Sequence, residues 1–156
     1  MKNMSNIIEA YLKEIIESGG NGLIEIKRSE IADRFQCVPS QINYVINTRF
    51  TAERGYIVES KRGGGGYIRI LRVRANSKVE LIEAILHQIG NQVSQIATED
   101  IVYRLLDEQV ISKREAKLIL AAIDREVIAI DLPYRDQLRS RILQAMLMTL
   151  MYEKES

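Results

Sequence analysis

Four consecutive glycines, Gly63-Gly64-Gly65-Gly66, constrain this chain more than any other stretch. They exclude a helix interior or an ordinary strand, because each frees the backbone to take positive φ and none supplies a side chain to pack. Strand-like runs flank them, Tyr56-Ile57-Val58-Glu59-Ser60 before and Tyr67-Ile68-Arg69-Ile70-Leu71 after. Two such runs around a Gly-rich connection predict a β-hairpin. The hairpin region is basic: from Arg49 to Arg74 there are seven Lys/Arg against two acids. A tip without side chains approaches a backbone or a narrow groove closely, and Lys61, Arg62 and Tyr67 beside it then reach phosphates or base edges. Ile68 and Ile70 share a face with Arg72 and Arg74, which predicts an edge-like wing with a twist or bulge.

What precedes the hairpin sharpens the reading. Ser5 is a candidate cap for a first helix with an apolar stripe of Ile8, Tyr11, Leu12, Ile15 and Ile16. Leu23-Ile24-Glu25-Ile26 predicts a short strand. Ser29, with Glu30 in the first turn, predicts the start of a second helix that buries Ile31, Ala32 and Phe35. After the break Gln36-Cys37-Val38, Pro39 suits the first position of a third helix. Its apolar face is Ile42, Val45 and Ile46. The 3.6-residue period places Ser40, Gln41, Tyr44, Asn47 and Thr48 opposite. A merely solvated face more often carries Glu and Lys; these hydrogen-bonding side chains suit base edges, with Arg28 and Arg49 for phosphates. Two short helices, a three-residue turn and a basic hairpin give the order of a winged helix-turn-helix.

Charge divides the chain. Residues 1–74 carry a net +4 and residues 75–156 a net −3, so only the first half suits a polyanion. Beyond Ala75-Asn76-Ser77, read as a linker or cap, the pattern is helical throughout. Val79, Ile82, Ile85, Leu86, Ile89 and Val93 mark one long helix, weakened at Gly90. Thr98 is a candidate cap for a segment with Ile101, Val102, Leu105 and Leu106. Ser112-Lys113-Arg114-Glu115 is a capping box, followed by Ala116, Ile119, Leu120 and Ile123. Asp131-Leu132-Pro133 opens a last helix with the stripe Leu138, Ile142, Ala145, Met146, Thr149 and Leu150. The expected class is therefore α+β: an N-terminal winged helix-turn-helix over 1–74, then an all-α four-helix bundle over 75–156. The surplus of apolar faces on so short a bundle implies self-association as a homodimer.

Other chemistries find little support. The glycine run lacks the Gly-Lys-Ser/Thr ending of a phosphate cradle and is followed by a strand, so an enzyme is not expected. One histidine, His87, and one cysteine, Cys37, lie far apart and make no metal site; no cofactor is expected. A single cysteine and the lack of a transmembrane run or signal peptide fit a cytoplasmic protein without a membrane partner.

The residues from Arg28-Ser-Glu-Ile-Ala-Asp-Arg-Phe-Gln-Cys-Val-Pro-Ser-Gln-Ile-Asn-Tyr-Val-Ile-Asn-Thr-Arg-Phe50, and from Arg54 through the glycines to Ile70, resemble the CtsR family. The resemblance extends through Ala116–Leu118, Ile130–Pro133 and the final helix. This family comprises class III stress-gene repressors of low-GC Gram-positive bacteria. The resemblance implies a dimeric repressor of protein-quality-control genes, chiefly Clp chaperone and protease genes, bound to double-stranded operator DNA and released on heat. It also implies a protein arginine kinase as partner and degradation by a Clp-type AAA+ chaperone/protease. Arg62, immediately before the bare glycines, is the expected regulatory phosphorylation site, because there one modification turns a groove-seeking cation into a dianion. A two-fold dimer ordinarily reads a palindrome, whereas the family is associated with direct repeats. The competing reading is a winged-helix regulator controlled by a small-molecule ligand in its C-terminal bundle.

Overall fold

The computed structural model describes residues 3–61, 66–75 and 77–151. Arg62, Gly63, Gly64 and Gly65, the centre of the expected wing, lie outside them. The chain forms two compact units, residues 1–73 and 74–156.

The first unit runs α1 (Met4–Ser18), β1 (Leu23–Lys27), α2 (Arg28–Phe35), α3 (Pro39–Arg49), β2 (Tyr56–Lys61) and β3 (Tyr67–Arg72). Asn3, not Ser5, caps α1, accepting from the Asn6 amide at 2.8 Å. Ser5 falls inside the helix and is buried. Nor does Ser29 cap α2: the helix begins one residue earlier, and Lys27 at its N-cap makes no side-chain bond. The strand β1 leads straight into α2, so no residue is left for a capping turn. Ile8, Leu12 and Ile16 of α1 pack with Ile31 and Ala32 of α2, Ile42, Val45 and Ile46 of α3, and the inward side chains Ile24, Ile26, Ile68 and Ile70 of the strands.

The sheet order is β1-β3-β2, antiparallel throughout. The strand expected at an edge is thus the central one. Its pairing with β2 is regular from Tyr56↔Arg72 to Lys61↔Tyr67, without the expected bulge. Arg72 explains why: it sits inward and buried, donating from Nη1 to the Tyr56 hydroxyl at 2.8 Å with its guanidinium 5.1 Å from that ring's centroid. A cation so partnered occupies an inward position without breaking the alternation.

The second unit is a bundle of α4 (Lys78–Ile89), α5 (Gln95–Asp107), α6 (Lys113–Ile123) and α7 (Tyr134–Met151). Gly90, at φ 72° and ψ −159°, ends α4, so Val93 belongs to the connection rather than to one long helix. Val79 is exposed, and Leu81 takes the buried position instead. Ser94 caps α5, not Thr98, which is buried one turn in and donates to the Ser94 carbonyl. The Ser112–Glu115 capping box is present in both directions. On α7 the buried stripe is Arg139, Ser140, Leu143 and Leu147. The expected stripe is displaced outward: Leu138, Ala145 and Thr149 are exposed.

Candidate nucleic-acid interface

The helix-turn-helix is α2, a tight turn and α3. Gln36 adopts the left-handed region at φ 53°, and the Cys37 amide donates to the Ala32 carbonyl at 2.9 Å. These bonds satisfy the end of α2 and aim Val38-Pro39 into α3. Burial of Ile42, Val45 and Ile46 fixes the rotation of α3. Ser40, Asn43, Tyr44 and Asn47 are left on its exposed side, with Tyr44 53% exposed. Val38, at the helix entrance, is 62% exposed.

The remaining candidates on α3 have duties inside the fold. Gln41 is half-buried and donates from Nε2 to Ser5 Oγ at 2.7 Å, tying α3 to α1. Thr48 Oγ1 donates to the Tyr44 carbonyl at 2.7 Å. Arg49 Nη1 lies 3.3 Å from Glu9 Oε1, and Glu9 also meets Lys13 at 2.7 Å and Arg54 at 3.9 Å. Arg28 donates from Nε to Asn43 Oδ1 and from Nη2 to Ser60 Oγ at 3.1 Å. It thereby links the start of α2 to α3 and to β2. Asn43 was not among the expected site residues, although it falls at the same three- and four-residue spacing as Ser40 and Asn47.

The basic surplus of the hairpin region is partly internal as well. Arg72 is buried, Arg54 faces Glu9, and Arg69 pairs with Glu25 at 3.0 Å. At the described base of the glycine run, Lys61 is exposed with its ammonium 5.8 Å from the Tyr67 ring centroid. Gly66 takes φ 55°, a region that favours glycine.

Other chemistry is sparse. Among the described residues no group of three or more His, Cys, Asp or Glu side chains could hold a metal ion. None of the described helices is long and apolar enough to cross a membrane. Cys37 is half-buried against the N-terminal core, and His87 is exposed. In the bundle, an open groove of about 280 Å³ is lined by Glu115, Leu118, Ile119, Met146, Thr149 and Leu150.

Two family models match the chain: the CtsR N-terminal HTH domain over residues 3–74 and the CtsR C-terminal dimerization domain over residues 77–148. The transcriptional regulator CtsR of Bacillus subtilis (strain 168) is 62% identical over 148 residues, covering 95% of this chain and 96% of that protein. That of Geobacillus stearothermophilus is 59% identical over 153 residues, covering 98% and 100%. A crystal structure of CtsR in complex with a 26-bp DNA duplex superposes with a TM-score of 0.87 at 59% identity, covering 97% of this chain and all of that one. With both domains matched in order and nearly the whole length shared, this chain belongs to the CtsR family.

Proposed function

We propose that this protein is a dimeric, sequence-specific DNA-binding repressor whose α3 reads the major groove while the glycine-rich hairpin enters the adjacent minor groove. The observation that carries the reading is the exposed row Ser40, Asn43, Tyr44 and Asn47, held in place by the burial of Ile42, Val45 and Ile46. Side chains of this kind pair with base edges, whereas phosphate contacts position the protein. That a CtsR of the same fold was crystallised with a 26-bp DNA duplex supports duplex DNA as the ligand. Arg28, Gln41, Thr48 and Arg49 support the reading helix through their internal bonds. Lys61, Arg62, Gly63, Gly64, Gly65, Gly66 and Tyr67 make the hairpin contact.

The family resemblance extends the proposal. The regulated genes encode protein-quality-control components, chiefly Clp chaperones and proteases. Heat releases the repressor through the hairpin, a protein arginine kinase inactivates it at Arg62, and a Clp-type chaperone/protease removes it from the cytoplasm. An inserted guanidinium is favoured by the negative potential of a narrow A·T-rich groove, and phosphorylation replaces that cation with a dianion. DNase footprinting on the protein's own promoter, with wild type and Arg62→Lys, tests the reading. Protection of a defined site that Arg62→Lys weakens supports it. Uniform, sequence-independent protection would overturn it.

A further inference from the structure

The side of the sheet facing away from the helices is built in three cross-strand rows. Strand register places Leu23, Leu71 and Ile57 side by side, then Glu25, Arg69 and Glu59, then Lys27, Tyr67 and Lys61. All nine alternate with the inward residues and none is fully buried. The first row is apolar, and Ile57 is 51% exposed. With the second row it borders a groove of about 210 Å³ lined by Leu23, Ile57, Glu59, Arg69 and Leu71. The second row sets two carboxylates beside one guanidinium. Arg69 pairs with Glu25 at 3.0 Å, while Glu59 is exposed and has no side-chain partner among the described residues. The third row is basic and lies at the hairpin tip. The apolar row lies four residue steps from it along each strand, roughly 13 Å. An occupant of the groove therefore leaves the tip free for nucleic acid.

We infer that this outer sheet face docks an extended segment of another protein, one with an apolar side chain followed two residues later by lysine or arginine. Each part of that chemistry has its counterpart. The Leu23–Leu71–Ile57 row receives the apolar side chain. Glu59, one row along, receives the cation. Alternate side chains of an extended segment are about 7 Å apart, matching the spacing of successive rows. The excess carboxylate selects against an acidic residue at the second position, and the groove alone selects for nothing polar.

The test uses full-length dimer with ¹³C-labelled leucine and isoleucine methyls. The probes are two blocked peptides, threonine-leucine-threonine-arginine-threonine and its counterpart with glutamate in place of arginine. The arginine peptide is expected to shift the methyls of Leu23, Ile57 and Leu71, and the glutamate peptide to bind about tenfold more weakly or worse. Glu59→Lys should reverse that preference. Ile57→Asp should abolish binding of both peptides while operator affinity, measured in parallel, stays at the wild-type level. Equal binding of the two peptides, shifts confined to the bundle, or methyls already shielded by the second copy in free dimer would overturn the inference. Absence of operator binding by the wild-type dimer, with peptide selectivity intact, would count against the DNA reading alone.

Discussion

Tyr44 and Gln41 stand three residues apart on one helix and have different work. Tyr44 projects outward, whereas Gln41 is bonded to Ser5. Tyr44→Ala is expected to weaken specific operator binding by about 1–3 kcal/mol with little change in melting. Gln41→Ala should lower folding stability by about 1 kcal/mol through the lost hydrogen bond to α1. Anisotropy titrations paired with urea denaturation separate the two. In the bundle, Arg139 is 1% exposed, donating to the Ile123 carbonyl at 2.9 Å and the Val93 carbonyl at 3.1 Å while pairing with Asp136. Arg139→Ala strands those acceptors, so a loss of about 3–5 kcal/mol is expected in the same denaturation experiment. The outward polar face of α3 was legible because Ile42, Val45 and Ile46 set the helix phase. That Gln41 and Arg49 turn back to α1 was not legible. Their partners Ser5 and Glu9 are distant in sequence, and periodicity carries no information about which flank another helix covers.

Helix ends and strand order show the same division. Ser112 and Glu115 announce their helix locally, because both bonds of the box close within three residues. Gly90 ends α4 with φ 72° and open space around the position of a Cβ. Gly90→Ala should therefore cost about 1–3 kcal/mol from backbone strain rather than from collision, visible as a lowered urea midpoint with an unchanged slope. The central place of β3 was hidden. Leu23 pairs with Leu71 although α2, α3 and β2 lie between them in the sequence, and the two inward arginine positions expected on β3 and beyond it read as an edge signal. The last helix was misphased for a related reason. It carries two apolar stripes, and the buried one is disguised by Arg139 and Ser140, whose polar atoms are satisfied by the backbone of neighbouring segments.

The outward stripe of α7 gives the bundle a surface to share. Leu138, Ala145 and Thr149 lie exposed along it, and Leu118 of α6 is 62% exposed at the groove beside Met146 and Leu150. A fragment of residues 74–156 should sediment as a dimer at micromolar concentration. Leu138→Asp combined with Leu118→Asp should turn it monomeric without unfolding it, as circular dichroism would show. A monomeric wild-type fragment would place the dimer contact elsewhere. If the fragment dimerises through this stripe, one helix spends one face on its own chain and offers another to its twin, and this affects how the protein is counted. While dimers are scarce their number follows the square of the chain concentration, so halving the stock leaves about a quarter of them. For a repressor that acts as a dimer, depletion in that regime acts on the genes more steeply than on the protein itself, and modest losses of chain become a sharp signal with no change in the affinity of any surviving dimer.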